Sequence, residues 1–169
     1  MDIPFEVRII PVEENYPEEY QGARISEFIA LKKAMAFKEQ IQDGELIITA
    51  DTIVTLDGEV LGKPAGKVHA AEMLNKLSGK MHEVITSVCL FTTSRQEVFS
   101  DTTKVFFNTL TPAEIHYYLD RYQPTDKAGA YGIQEWIGYT AASRVEGSYY
   151  NVMGLPVEKL YNRLKRFYP

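Results

Sequence analysis

Leu46-Ile47-Ile48-Thr49-Ala50-Asp51-Thr52-Ile53-Val54-Thr55-Leu56-Asp57-Gly58 holds two β-type runs, 46–49 and 53–56, and ends in an Asp-Gly pair. Aliphatic and β-branched side chains dominate both runs, and Asp-Gly favours the backbone angles of a tight hairpin turn. Ala50-Asp51-Thr52 interrupts the runs and places the Asp51 carboxylate beside strand ends. A hairpin at this point requires antiparallel neighbours, so the sheet is not purely parallel.

Downstream, Val68, Ala71, Leu74 and Leu77 mark an amphipathic helix stopped by Ser78-Gly79, and residues 84–91 and 98–107 read as longer strands. Thr111-Pro112-Ala113-Glu114 has the form of a capping box with proline at the first helical position, which predicts a helix to about Tyr122. Pro156 opens a last helix, with Val157, Leu160, Tyr161, Leu164 and Phe167 as its apolar stripe and Lys159, Arg163 and Lys165 facing solvent. Upstream, Phe28, Ile29, Leu31, Met35 and Phe37 predict a helix over 26–40 with Ser26 as its N-cap. Residues 3–10 read as a strand, followed by the acidic turn Glu13-Glu14-Asn15. Alternating strands and helices give an α/β class, mixed α+β, with a mixed sheet in one domain over 1–169.

Composition narrows the function. Asp and Glu outnumber Lys and Arg, 23 to 18, so no broad cationic surface exists for a nucleic-acid polymer. A small phosphorylated ligand needs only a few local cations and stays allowed. Cys89 is the one cysteine, which excludes an internal disulfide and reads as a small core residue. No run approaches the length of a membrane span and no signal peptide opens the chain, so cytoplasm is the expected compartment.

Four clusters gather polar residues where the apolar pattern breaks. Asp51 could act as a base or hold a metal, though a turn-capping aspartate is the simpler reading of it alone. Gly62-Lys63-Pro64 sets a lysine between a flexible and a rigid residue, a geometry that can aim an ammonium at phosphate as readily as leave it in solvent. One of Lys32 and Lys33 can face the sheet edge while the other faces water. The loop 126–134, Asp-Lys-Ala-Gly-Ala-Tyr-Gly-Ile-Gln, allows close backbone approach to a ligand and ends in Gln134, whose amide can read a base edge. Residues 146–151 form a further polar stretch, explained mostly as a connection into the last helix. Dispersed histidines at 69, 82 and 116 give a zinc site little support, and no serine elbow or phosphate-loop motif suggests covalent catalysis.

Ala50-Asp51-Thr52, Leu61-Gly62-Lys63-Pro64, Leu77-Ser78-Gly79, His82-Glu83-Val84-Ile85-Thr86, the loop 126–134, Gly147-Ser148-Tyr149 and Gly154-Leu155-Pro156, taken in order, closely resemble the Maf family over nearly the whole chain. The resemblance implies a Maf/ITPase-like twisted mixed sheet flanked by helices, with two lobes around a central cleft. It implies a nucleoside triphosphate pyrophosphatase that needs a divalent metal cation, Mg or Mn. Asp51 matches the proton acceptor, while Thr52 and Gln134 match positions tied to base choice. Glu13, Lys33 and Lys63 match other cleft positions, Lys127 joins them as a substrate-binding residue, and Glu13 and Asp51 are the expected metal ligands. The sequence around Asp51 and Gln134 resembles the dTTP/UTP branch, with modified pyrimidine triphosphates as additional substrates. The expected partner is therefore a nucleoside triphosphate, dTTP or UTP, with no nucleic-acid polymer and no membrane, and a homodimer is allowed.

The sequence departs from the family in lacking the opening Ser-x-Ser-Pro-Arg-Arg loop, whose arginines would clamp the triphosphate. A late start or a truncated chain is the expectation, with a large loss of turnover if the chain is complete as written. A septum-formation or cell-division regulator of the same fold is the alternative that this departure keeps open.

Overall fold

The computed structural model describes residues 1–167. Strands β1 (Ile47–Leu56), β2 (Glu59–Leu61), β3 (Met81–Phe91), β4 (Gln96–Phe107) and β5 (Ala142–Glu146) form one sheet in the order β2-β1-β3-β4-β5. Helices α1 (Ala23–Met35), α2 (Lys67–Leu77), α3 (Pro112–Tyr122), α4 (Trp136–Thr140), α5 (Tyr149–Val152) and α6 (Val157–Phe167) accompany it, with a 3-10 turn at Ala128–Ala130.

The class is the mixed α/β expected from the sequence, but every strand pairing among the described residues is antiparallel. β2 and β3, linked through α2, do run in the same direction. β1 lies between them, so the crossover produces no parallel ladder. β1 is also unbroken, which corrects the interruption expected at Ala50-Asp51-Thr52. Those three residues stay in register with Val88, Ser87 and Thr86 of β3. The hairpin turn is as expected, with Asp57 at φ 51° and Gly58 at φ 86°, the signs that match the twist of two adjoining strands.

Helices cover both faces of the sheet. Val54, Leu56, Val84, Val105 and Phe107 pack on one side with Leu74 and Leu77 of α2 and Tyr118 and Leu119 of α3. Val88, Leu90 and Phe99 continue that side under Leu160 and Phe167 of α6. The opposite side belongs to α1, whose Ile25 and Ile29 meet Ile53 and Ile85 while Ala30 and Ala34 meet Cys89 and Phe91. Burial on both sides covers every residue of β3 from Val84 to Phe91, the polar Thr86 and Ser87 included. It also raises the thiol of buried Cys89 to about 11, in keeping with a core role.

Several boundaries differ from the sequence reading. α1 starts at Ala23 rather than at Ser26, and Ser26 lies buried in its first turn, donating to the Ala23 carbonyl and paired with Ser87 Oγ at 2.7 Å. Residues 3–10 form no strand; Ile3, Phe5, Val7 and Ile9 are exposed, and Arg8 reaches Glu45 at 2.7 Å. β propensity alone does not make a strand where no neighbouring backbone completes the ladder. On α6, Lys159 and Arg163 do not simply face water: they reach back to Asp101 and Glu97 of β4, at 3.2 and 2.6 Å, while Tyr161 is exposed. Their long stems lie along the protein and deliver the charge at its margin.

The capping box of α3 is present. Thr111 Oγ1 accepts from the Glu114 N–H at 3.3 Å, and the Thr111 N–H donates to Glu114 Oε2 at 2.7 Å. Thr111→Ala is expected to cost about 1 kcal/mol, seen as a lower urea midpoint with an unchanged slope.

Candidate functional site

β2 pairs with β1 only from Val54 to Leu56, and along the remaining edge of β1 a cleft of about 230 Å³ opens. Its walls include Ala50, Asp51, Thr52 and Val54 from β1, Lys33 from α1, Glu14 and Lys63 from loops, Asp126 to Ala128, Tyr131, Gly132 and Gln134 from the glycine-rich loop, and Met153 and Gly154 beyond α5. The structure therefore brings Asp51, Thr52, Lys33, Lys63, Lys127 and Gln134 to one hollow.

Consecutive strand residues project to opposite faces, and this divides the site. Asp51 turns toward α1, where Lys33 Nζ lies 2.7 Å from Oδ1. The same ammonium lies 2.8 Å from Glu14 Oε1, and Lys63 pairs with the other oxygen of Glu14. Asp51, Lys33, Glu14 and Lys63 thus form an alternating row of charge. Lys32, the alternative to Lys33, faces away and bonds Asn15.

Thr52 turns the other way. Its Oγ1 is 2.8 Å from Thr86 Oγ1, and Thr86 in turn donates to the backbone carbonyl of Asn151 at 2.8 Å. Lys127 reaches Asp126 at 3.0 Å and Glu135 at 3.3 Å, while Tyr118 donates its hydroxyl to Glu135 and accepts the Gly132 N–H at 3.1 Å. Gly129 closes the loop with φ 67°, and its N–H bonds the Gly62 carbonyl at 3.1 Å, which ties the loop to the segment carrying Lys63. A β-carbon there would press on Val54 at 3.0 Å, so glycine is required on both counts. Gln134 lies exposed at the rim; its backbone carbonyl accepts from Tyr139, and its side-chain amide has no hydrogen-bond partner among the described residues.

Glu13 is the exception among the candidates. It is exposed, bonded by Asn15 at 3.1 Å, and outside the cleft. Glu14 occupies the place expected for it, held there by Lys33 and Lys63. Composition alone could not separate two adjacent glutamates. The sequence reading also passed over Asn151, which is fully buried; its Nδ2 donates to the Val84 carbonyl and to Thr103 Oγ1, both at 3.0 Å. The polar stretch 146–151 carried the only signal for it.

Burial raises the carboxyl of Asp51, which is 9% exposed, above its ordinary value; the opposing pull of Lys33 is weaker than this desolvation. Lys33 and Glu14 behave differently because each has two partners. Burial opposes the charge on both, but Asp51 and Glu14 together hold Lys33 above its ordinary value, and Lys33 with Lys63 hold Glu14 below its own. Asp126 is lowered by the hydrogen bond from Lys127. Asp51 is thus a carboxylate made more basic, with Oδ1 engaged by Lys33 and Oδ2 without a hydrogen bond among the described residues.

Among the described residues no three His, Cys, Asp or Glu side chains gather as a self-contained metal site. Asp51 and Glu14, linked through Lys33, offer oxygen donors of the kind a hard divalent cation takes when a ligand's phosphates complete its shell. The cleft walls carry three carboxylates, Glu14, Asp51 and Asp126, against three ammonium groups, Lys33, Lys63 and Lys127. The protein alone therefore offers no net positive charge to a polyanion.

The family model for Maf-like protein matches residues 1–167. The chain is similar to the dTTP/UTP pyrophosphatase of Bacteroides thetaiotaomicron, 54% identical over 167 residues that cover 98% of this chain and 86% of that protein. It is similar to the dTTP/UTP pyrophosphatase of Parabacteroides distasonis, 53% identical over 99% of this chain and 87% of the relative. The protein of the same name from Porphyromonas gingivalis strain W83 is 50% identical over 99% and 85%.

Proposed function

The chain belongs to the Maf-like family, and from that premise we propose that it is a nucleotide pyrophosphatase hydrolysing dTTP and UTP to the monophosphate and pyrophosphate. The observation that carries this reading is Asp51: a nearly buried, basic carboxylate on a cleft wall, with one oxygen steadied by Lys33 and the other open. In the proposed reaction Asp51 Oδ2 takes a proton from water as its oxygen attacks the α-phosphorus. The bond from that phosphorus to the bridging oxygen breaks, and pyrophosphate leaves with the electron pair. Lys63 and Lys127 meet the phosphates from two loops, and Lys33 keeps Asp51 aimed. Thr52 and Gln134 face the base, where an amide supplies both donor and acceptor.

A divalent cation, Mg or Mn, fits this cleft: Asp51 and Glu14 would hold it together with phosphate oxygens, and when bound it would offset phosphate charge that the balanced walls leave uncompensated. Modified pyrimidine triphosphates are proposed as additional substrates, which suits clearance of the nucleotide pool. The test is incubation with dTTP, UTP and GTP in the presence of Mg or Mn while pyrophosphate is followed. Release from the two pyrimidine nucleotides, well above that from GTP, is expected; release from none would overturn the assignment.

A further inference from the structure

The hydrogen bonds behind Thr52 have only one consistent polarity. A backbone carbonyl can only accept, so the 2.8 Å contact from Thr86 Oγ1 to the Asn151 carbonyl uses the single hydroxyl proton of Thr86. In the 2.8 Å contact between the two threonine hydroxyls, Thr86 must then accept and Thr52 must donate. The proton of Thr52 points inward, and toward the cleft its oxygen offers lone pairs alone.

The anchor is fixed in the same manner. Thr103 Oγ1 donates to the Ser148 carbonyl at 3.2 Å, so it accepts from Asn151 Nδ2. The other Asn151 Nδ2–H goes to the Val84 carbonyl, which sets the orientation of the amide. Thr86, Thr103 and Asn151 are all fully buried, which shields these bonds from bulk solvent. The Asn151 carbonyl that orients Thr86 is thereby held by two strands of the sheet.

Resting on the function proposed above, we infer that Thr86 and Asn151 are positioning residues that make Thr52 a fixed acceptor, matched to the N3–H of uracil and thymine. Cytosine presents a lone pair at that ring position, and two acceptors would face each other. Gln134 cannot enforce this choice, because its amide is exposed at the rim and turns to suit either base. Discrimination between the pyrimidines falls to the hydroxyl that cannot turn.

The test measures affinity rather than turnover, so it stands apart from the pyrophosphate assay. Calorimetry with the α,β-imido analogues of UTP and CTP gives a binding ratio for the wild type, Thr86→Val and Thr86→Ser. Valine leaves the Thr52 proton without its acceptor and free to point at the ligand. The preference for the uracil analogue should fall about tenfold in Thr86→Val, the equivalent of ~1.4 kcal/mol, and return in Thr86→Ser. A merely structural role would weaken both ligands alike and leave the ratio unchanged, which would refute the assignment. Should the valine variant not fold, the wild type still decides with the imido analogue of CTP, whose ring N3 is an acceptor where the uracil N3–H is a donor. Tenfold or greater weakening supports the inference, and binding equal to that of the uracil analogue overturns it.

Discussion

Asp51→Asn is expected to lower the turnover of dTTP by about a thousandfold, within the range that positioned acid–base groups contribute, while the protein becomes no less stable. Asparagine keeps the size of the side chain and an oxygen for Lys33, but it cannot take a proton from water. The stability half follows from the sign of the shift. Below the ordinary carboxyl value of 3.8, Asp51 is neutral in both folded and unfolded chains. Between that value and the higher folded one, only the folded chain retains the proton, so stability is lost as pH rises through this window. Above it, the ionised buried carboxylate is a standing cost, and the neutral amide removes that cost. The melting temperature of Asp51→Asn at neutral pH should therefore equal or exceed that of the wild type. For the same reason the acid limb of kcat/KM in the wild type should lie above the ordinary carboxyl value. A variant that retains turnover, or one that melts well below the wild type at pH 7, would remove Asp51 from its role.

Gly138→Ala is expected to have the largest effect on the fold. A β-carbon at this position in α4 would lie 1.7 Å from the Ile133 carbonyl oxygen and 2.5 Å from its carbon. Those atoms are backbone, so no rotamer change relieves the contact, and α4 must move away from the segment leading to Gln134. Overpacking of this severity costs roughly 3 kcal/mol or more, the upper end for such substitutions. Equilibrium unfolding in urea should show it as a reduced midpoint, and binding of a pyrimidine nucleotide should weaken with it, since Ile133 adjoins Gln134. A midpoint within experimental error of the wild type would show that α4 can shift without cost.

Most of the fold was legible because local signals and burial agree. The capping box of α3, the Asp57-Gly58 turn and the β-branched and aliphatic residues of β3 each state in a few residues what the tertiary structure then uses. The failures have a common cause, in that local propensity contains no information about partners. Residues 3–10 have strand composition and no ladder, and Asp51 looks like an interruption until Ser87 stands opposite it. β5 was not anticipated because only Ala142 and Val145, opposite Phe107 and Val105, mark that short edge strand as apolar.

In the site, the candidates that share the cleft come from motifs whose order along the chain is distinctive; helical periodicity leaves Lys32 and Lys33 open, the family resemblance points to Lys33, and the geometry of α1 places Lys33 in the cleft. Glu14 and Thr86 were beyond sequence reasoning for a physical reason. One is chosen over its neighbour by two distant lysines, and the other acts through the direction of a single proton.

The opposed orientation of Asp51 and Thr52 on β1 has a consequence for how such a protein can diversify. The proposed base is braced by a helix above the sheet, and the proposed reader of the nucleobase by a short helix beneath it. Selection can remodel the lower layer, and with it the choice of nucleobase, while the upper layer retains its geometry for breaking the phosphoanhydride.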